Sequence, residues 1–98
     1  MTYYMVEVNL PNPFTEEFIN LIPQQRAFIN SLLEKGTVAA YSLSLSSSKL
    51  WVTFLCNSAD EAEALLQQFP VIDFVTYTIY DLAFHNTADI FMPAISLN

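Results

Sequence analysis

One run that alternates apolar with polar residues, three runs rich in β-branched and aromatic residues, and two runs with three-to-four apolar spacing follow one another as strand, helix, strand, strand, helix, strand. That order predicts an α+β fold, the ferredoxin-like βαββαβ sandwich, with a four-stranded antiparallel sheet and two helices on one face. The 98 residues make one domain, and no internal repeat or linker divides them. Residues 1–86 are assigned to this domain and 87–98 to a C-terminal tail, read either as disordered or, given Ile90, Phe91, Met92 and Ile95, as packing on a partner subunit.

The first strand is Tyr3 to Leu10, with Tyr4, Val6, Val8 and Leu10 on one side and Tyr3, Met5, Glu7 and Asn9 on the other. Pro11 and Pro13 end it, since each removes a backbone donor and restricts φ. Thr15 caps the first helix, and Glu16 and Glu17 suit the positive end of its dipole. Phe18, Leu21, Ile22, Gln25, Phe28, Ile29, Leu32 and Leu33 keep its three-to-four spacing. Pro23 predicts a kink or two short helices joined there. Gly36, the only glycine, stands where a left-handed residue closes the helix. Two strands follow, Val38 to Leu45 and Lys49 to Cys56, joined through Ser46, Ser47 and Ser48. Ser58-Ala59-Asp60-Glu61 is a capping box for the second helix, whose stripe is Ala62, Leu65, Leu66 and Phe69. The last strand is expected from about Asp73 to Phe84, a segment rich in Thr, Tyr, Val, Ile and Phe.

Composition narrows the function. Ten acidic residues against three basic ones give a net charge of −7. Nucleic acid and anionic membrane need a cationic face, so neither is an expected partner. One glycine and one histidine supply no phosphate loop, no metal-ligand cluster and no Ser-His-Asp set, so neither metal nor cofactor is expected. The single Cys56 provides no disulfide framework and fits a reducing cytoplasm. No membrane span or signal peptide is expected. Hydrophobic residues reach 53% and charged residues only 13%, against about 25% in an average domain. A domain of this size buries only about 60–70% of the surface its unfolded chain exposes. Self-association through the uncovered sheet face is the expected outlet, giving a homodimer or larger homo-oligomer around a shared barrel-like cavity.

Several short motifs also carry a resemblance. Val8-Asn9-Leu10-Pro11, Glu34-Lys35-Gly36-Thr37, Gln68-Phe69-Pro70 and Leu82-Ala83-Phe84-His85, in this order and spacing, resemble the muconolactone delta-isomerase family over about residues 3 to 86. The resemblance implies a ferredoxin-like fold, dimers of the α+β-barrel type that often form larger rings, and catalysis without a metal or cofactor. It also implies a proton shuttle that moves a ring double bond in a small anionic lactone. The family's acidic residues in the first helix fall near Gln24, Gln25 and Ala27 here, none of which takes a proton from carbon at neutral pH.

The candidate catalytic groups are therefore Glu7 and His85. Glu7 is mid-strand on the side opposite Val6 and Val8, where Tyr3 and Met5 would desolvate it in a dimer cavity and raise its pKa. The competing reading is a wet glutamate or one paired with a basic residue. His85 titrates near neutral pH when unperturbed and matches the family's closing histidine; a tail-holding or exposed role competes. Arg26, the only arginine, suits a carboxylate and is the candidate anion grip, against an ordinary salt bridge. Tyr3, Ser42, Ser44 and Trp51 complete the candidate substrate-binding set. Trp51, Tyr41, Tyr77 and Tyr80, with Ser42, Ser44, Thr53 and Thr76 among them, suggest an aromatic pocket with polar lining, against plain core or interface. Cys56 reads as a small buried hydrophobe. The function read from the sequence is binding of a small organic molecule in an intersubunit cavity, with cofactor-free isomerase-type proton transfer left open. The alternative is a non-catalytic dimeric module whose sheet face is a packed interface.

Overall fold

The structure is a computed structural model, described here for residues 1–88. The elements are β1 (Thr2–Asn9), α1 (Glu16–Glu34), β2 (Val38–Ser44), β3 (Lys49–Cys56), α2 (Ala59–Leu66), a 3-10 turn (Ile72–Phe74) and β4 (Thr76–Asp81). All sheet pairings are antiparallel, in the order β2-β3-β1-β4, and both helices pack on one face. This is the ferredoxin-like α+β fold that the element order predicts.

The local signals act largely as expected. Thr15 Oγ1 accepts from Phe18 N–H at 3.2 Å, and Ser58 Oγ accepts from Glu61 N–H at 3.1 Å. The returning arm of the second cap reaches one residue further than the usual box, because Glu61 Oε2 accepts from Asn57 N–H at 3.0 Å. Gly36 has φ +78°, and the bonds Gly36 N–H to Leu33 O and Thr37 N–H to Leu32 O close α1 as a Schellman motif.

Of the two outcomes expected at Pro23 the two short helices do not form, and one strand boundary departs from the sequence reading. α1 runs through Pro23 as one helix of 19 residues. The carbonyl that proline leaves unpaired belongs to Ile19, and both residues are exposed, so water can take the missing donor's place. The last strand starts at Thr76, not Asp73, because Ile72–Phe74 first turns back through the bond from Phe74 N–H to Val71 O. The β2–β3 turn begins at Leu45, with Ser48 in the left-handed region at φ 51°.

The core lies between the helices and one sheet face. Val6, Val52, Phe54 and Ala62 are fully buried, and Val8, Val38, Leu66 and Phe69 nearly so. Phe69 meets Phe28 and Phe54 edge-on, at 5.8 and 6.2 Å between ring centroids. Among the described residues, no helix is long and apolar enough to cross a membrane.

Two titratable side chains report on this packing. Burial pushes the Cys56 thiol up, partly opposed by the backbone of Ser58 and reinforced by the Glu61 carboxylate. With the thiol 1% exposed and its thiolate disfavoured, alkylation at pH 8 is expected to be at least about tenfold slower in the folded protein than in denaturant. Equal rates under the two conditions would contradict this packing.

Tyr77 hydroxyl donates to the Glu63 carboxylate and accepts from Gln67 Nε2 at 2.9 Å, tying β4 to α2. The bond to Glu63 raises its pKa, and desolvation adds to the effect. A group whose folded pKa lies above its unfolded value of about 10 stabilises the fold below that pH. The contribution is then lost as pH rises through the folded value. Tyr77→Phe is thus expected to cost about 1 kcal/mol at pH 7 in urea titrations, with the difference from wild type disappearing at strongly alkaline pH.

Candidate functional site

Tyr3, Glu7, Ser42, Ser44 and Trp51 face the side of the sheet that the helices leave open. Strand register dictates this, since residues directly opposite one another share a face. Ser42, Trp51, Glu7 and Thr78 form one row across the sheet; Ser44, Lys49, Asn9 and Thr76 form the next. A third row is Ala40, Thr53, Met5 and Tyr80. Tyr3 lies beyond it, opposite Leu55.

Glu7 is partnered. Lys49 Nζ donates to Glu7 Oε2 at 3.4 Å and to Asn9 Oδ1 at 2.7 Å, and Asn9 Nδ2 donates to Thr76 Oγ1 at 3.1 Å. Glu7 keeps 31% of its side chain exposed within one chain, and Lys49 keeps 33%. An ion pair so exposed contributes at most about 1 kcal/mol.

His85 lies at the other end of β1. Leu82 N–H donates to Tyr3 O at 3.0 Å, extending the β1–β4 pairing, and the His85 ring stacks on Tyr3 at 4.9 Å. Its Nε2 is buried without a partner among the described residues. Tyr3 and Glu7 are four residue steps apart, about 13 Å of strand, so these two candidate proton carriers occupy separate parts of the face.

Arg26 stands apart from these residues. It projects from α1, on the opposite side of the sheet from Glu7, His85, Ser42, Ser44 and Trp51, and does not join them within one chain. The aromatic set divides in the same way. Trp51 and Tyr80 are on the open face, whereas Tyr41 bonds Asn30 of α1 at 3.2 Å and Tyr77 bonds α2. A period of two assigns residues to alternate faces of each strand, but pairing register decides which residues of different strands meet.

The helical side holds a cavity of about 160 Å³, between α1 and the β2–β3 edge. α1 supplies Phe18, Ile22, Gln25, Arg26 and Ile29, and the sheet supplies Tyr41, Leu43 and Leu50. Leu10, Phe14 and Val71 close it from the flanking loops. Leu43 and Tyr41 are partly exposed at its edge, at 56% and 38%.

Gln25 is the chemically informative residue. It is 8% exposed, and its Oε1 accepts from Val71 N–H at 3.4 Å. That donor fixes the orientation of the amide, since the reverse would set an NH2 group against an N–H. Gln25 Nε2 is then left buried without a partner. The sequence signal for it is a lone glutamine within the apolar stripe of α1.

No family model matches the chain, and no curated protein matches its sequence. Among solved structures, it is similar to a muconolactone isomerase, with a TM-score of 0.70 and 16% identity over 87% of this chain and 92% of that one. At that identity the likeness establishes the fold alone.

Proposed function

We propose that the protein binds a small, mainly apolar organic molecule in the cavity between α1 and the β2–β3 edge, and that two copies pair through their open sheet faces. The observation that carries the first part is the lining of the cavity, where Phe14, Phe18, Ile22, Ile29, Leu43 and Leu50 surround a space that side chains of this chain do not fill. Those apolar surroundings provide the binding energy.

The pairing draws its support from the uncovered face. Met5, Trp51 and Leu55 are half-buried there and Tyr80 is 49% exposed, a larger apolar surface than a single chain hides. Pairing would also enclose the Glu7–Lys49–Asn9 group. A second reading follows from that enclosure: cofactor-free, isomerase-type proton transfer by Glu7 or His85. It is favoured by the unpartnered His85 Nε2 and by the likeness to muconolactone isomerase. No carboxylate or imidazole lines the α1 cavity, so that cavity by itself supports binding and not proton transfer.

Saturation-transfer NMR with toluene tests the binding. Transfer is expected for the wild-type protein and its loss for Leu43→Trp, in which an indole placed at the cavity edge occupies the space. Absence of transfer in the wild type would sink the proposal. For the pairing, sedimentation equilibrium at micromolar concentration is expected to return twice the chain mass of 11.1 kDa; a single-chain mass refutes it.

A further inference from the structure

The walls of the α1 cavity exclude more kinds of molecule than they admit. We infer that its ligand is a single-ring hydrocarbon with no hydrogen-bonding or charged group; this rests on the cavity being a binding site.

Size sets the upper limit. About 160 Å³ matches an apolar cavity of about 150 Å³ that admits benzene, so one ring fits and a fused pair does not. The walls resist widening, because several belong to the packed interior. Phe18, Ile29 and Val71 are buried, and the Phe18 ring meets those of Phe14 and Phe74 at 4.8 and 6.2 Å between centroids. Side chains packed in this way have little freedom to move aside for a second ring.

Hydrogen bonding sets the chemistry. Of the lining side chains, only Gln25, Arg26 and Tyr41 carry polar groups, and each is engaged or out of reach. Tyr41 hydroxyl donates to Asn30 Oδ1 at 3.2 Å. Gln25 Oε1 is taken by Val71 N–H, and Gln25 Nε2 has essentially no accessible surface, so the amide offers nothing to a molecule in the cavity. Arg26 is an exposed residue, so its guanidinium stays in water beyond the apolar walls.

A hydroxyl or carbonyl carried into this space gives up its water and finds no partner, which weakens binding about tenfold or more. A carboxylate loses more, since a full charge leaves water. A hydrocarbon ring has no such group to desolvate and gains from every apolar contact. Its competitor for the space is water, which is held in a buried site by two to four polar partners that these walls do not supply.

The test is a ligand-observed NMR titration of the wild-type protein at pH 7.5 with four probes: toluene, phenol, benzoate and naphthalene. Toluene is expected to bind at least about tenfold more tightly than phenol, and benzoate more weakly than phenol. Naphthalene is expected to bind more weakly than toluene, although it is the more apolar of the two, because its second ring does not fit.

Three outcomes overturn the inference. Phenol binding as tightly as toluene would mean that a hydrogen-bonding partner reaches the space. Benzoate binding more tightly than toluene, with the preference lost in Arg26→Gln, would make the ligand an anion held at the mouth. Naphthalene binding more tightly than toluene would break the size limit. In each of these cases the cavity still binds; only failure of all four probes fells the binding reading itself, and the inference with it.

Discussion

Phe54→Ala is expected to destabilise the protein by about 3–5 kcal/mol, a large share of the roughly 5–15 kcal/mol available to a domain of this size. Phe54 is fully buried on β3, between Tyr4 of β1 and Val38 of β2, with Phe69 edge-on against it. Truncation removes the transfer energy of the ring and leaves a cavity bounded by strands on both sides, which restrict collapse. At about 4–8 °C per kcal/mol, the melting temperature should fall by at least about 12 °C, as followed by circular dichroism. Leu43→Ala serves as the contrast. Leu43 is 56% exposed on edge strand β2, and its loss should change stability by less than about 0.5 kcal/mol. Similar shifts for the two variants would mean that the core is not centred on β3.

If the chains pair as proposed, Tyr80→Glu is expected to convert the pair to single chains. Tyr80 shares the open face with Met5 and is 49% exposed in one chain, so its replacement leaves the fold nearly unchanged. In the pair, the substitution removes an aromatic contact and buries a carboxylate without a partner, between chains that each already carry a charge of −7. A weakening of at least about a hundredfold, near 2.7 kcal/mol, is expected in sedimentation equilibrium. Tyr80→Phe should keep the pair. Ile19→Glu, at a similarly exposed site on α1, should leave the mass unchanged and shows that added charge alone is not the cause. Loss of pairing in Ile19→Glu and not in Tyr80→Glu would place the interface on the helices.

Much of the fold was legible because its signals are local. Val6 and Val8 alternate with Glu7, so one residue of period sets them inside and Glu7 outside. Thr15, Gly36 and Ser58 mark helix ends through bonds made within a few residues. Pro23 does not split α1, because the cost of a proline depends on whether the carbonyl it strands is wet, which the sequence does not state. The segment at Asp73 misled because its β-type composition fits a strand, while Val71 and Phe74 close a turn first.

The candidate site was less legible. Alternation put Tyr3 and Glu7 on one side of the first strand, and pairing register sets Ser42, Ser44 and Trp51 on the same face of the sheet. Arg26 joined that set only on its chemistry, and α1 carries it to the other side of the sheet. The reading that the tail, residues 87–98, packs on a partner falls for 89–98 outside the described residues.

The sequence alone determined the element order, the helix caps and which side of each strand is apolar, since each follows from periodicity or from bonds a few residues long. Only the tertiary structure decided that Gln25 loses its water and one of its bonding partners. That depends on Val71, 46 residues away, donating to its oxygen while the wall from Leu10 to Leu50 closes around it. Desolvation is a property of everything packed around a group, and no local pattern in a chain encodes it.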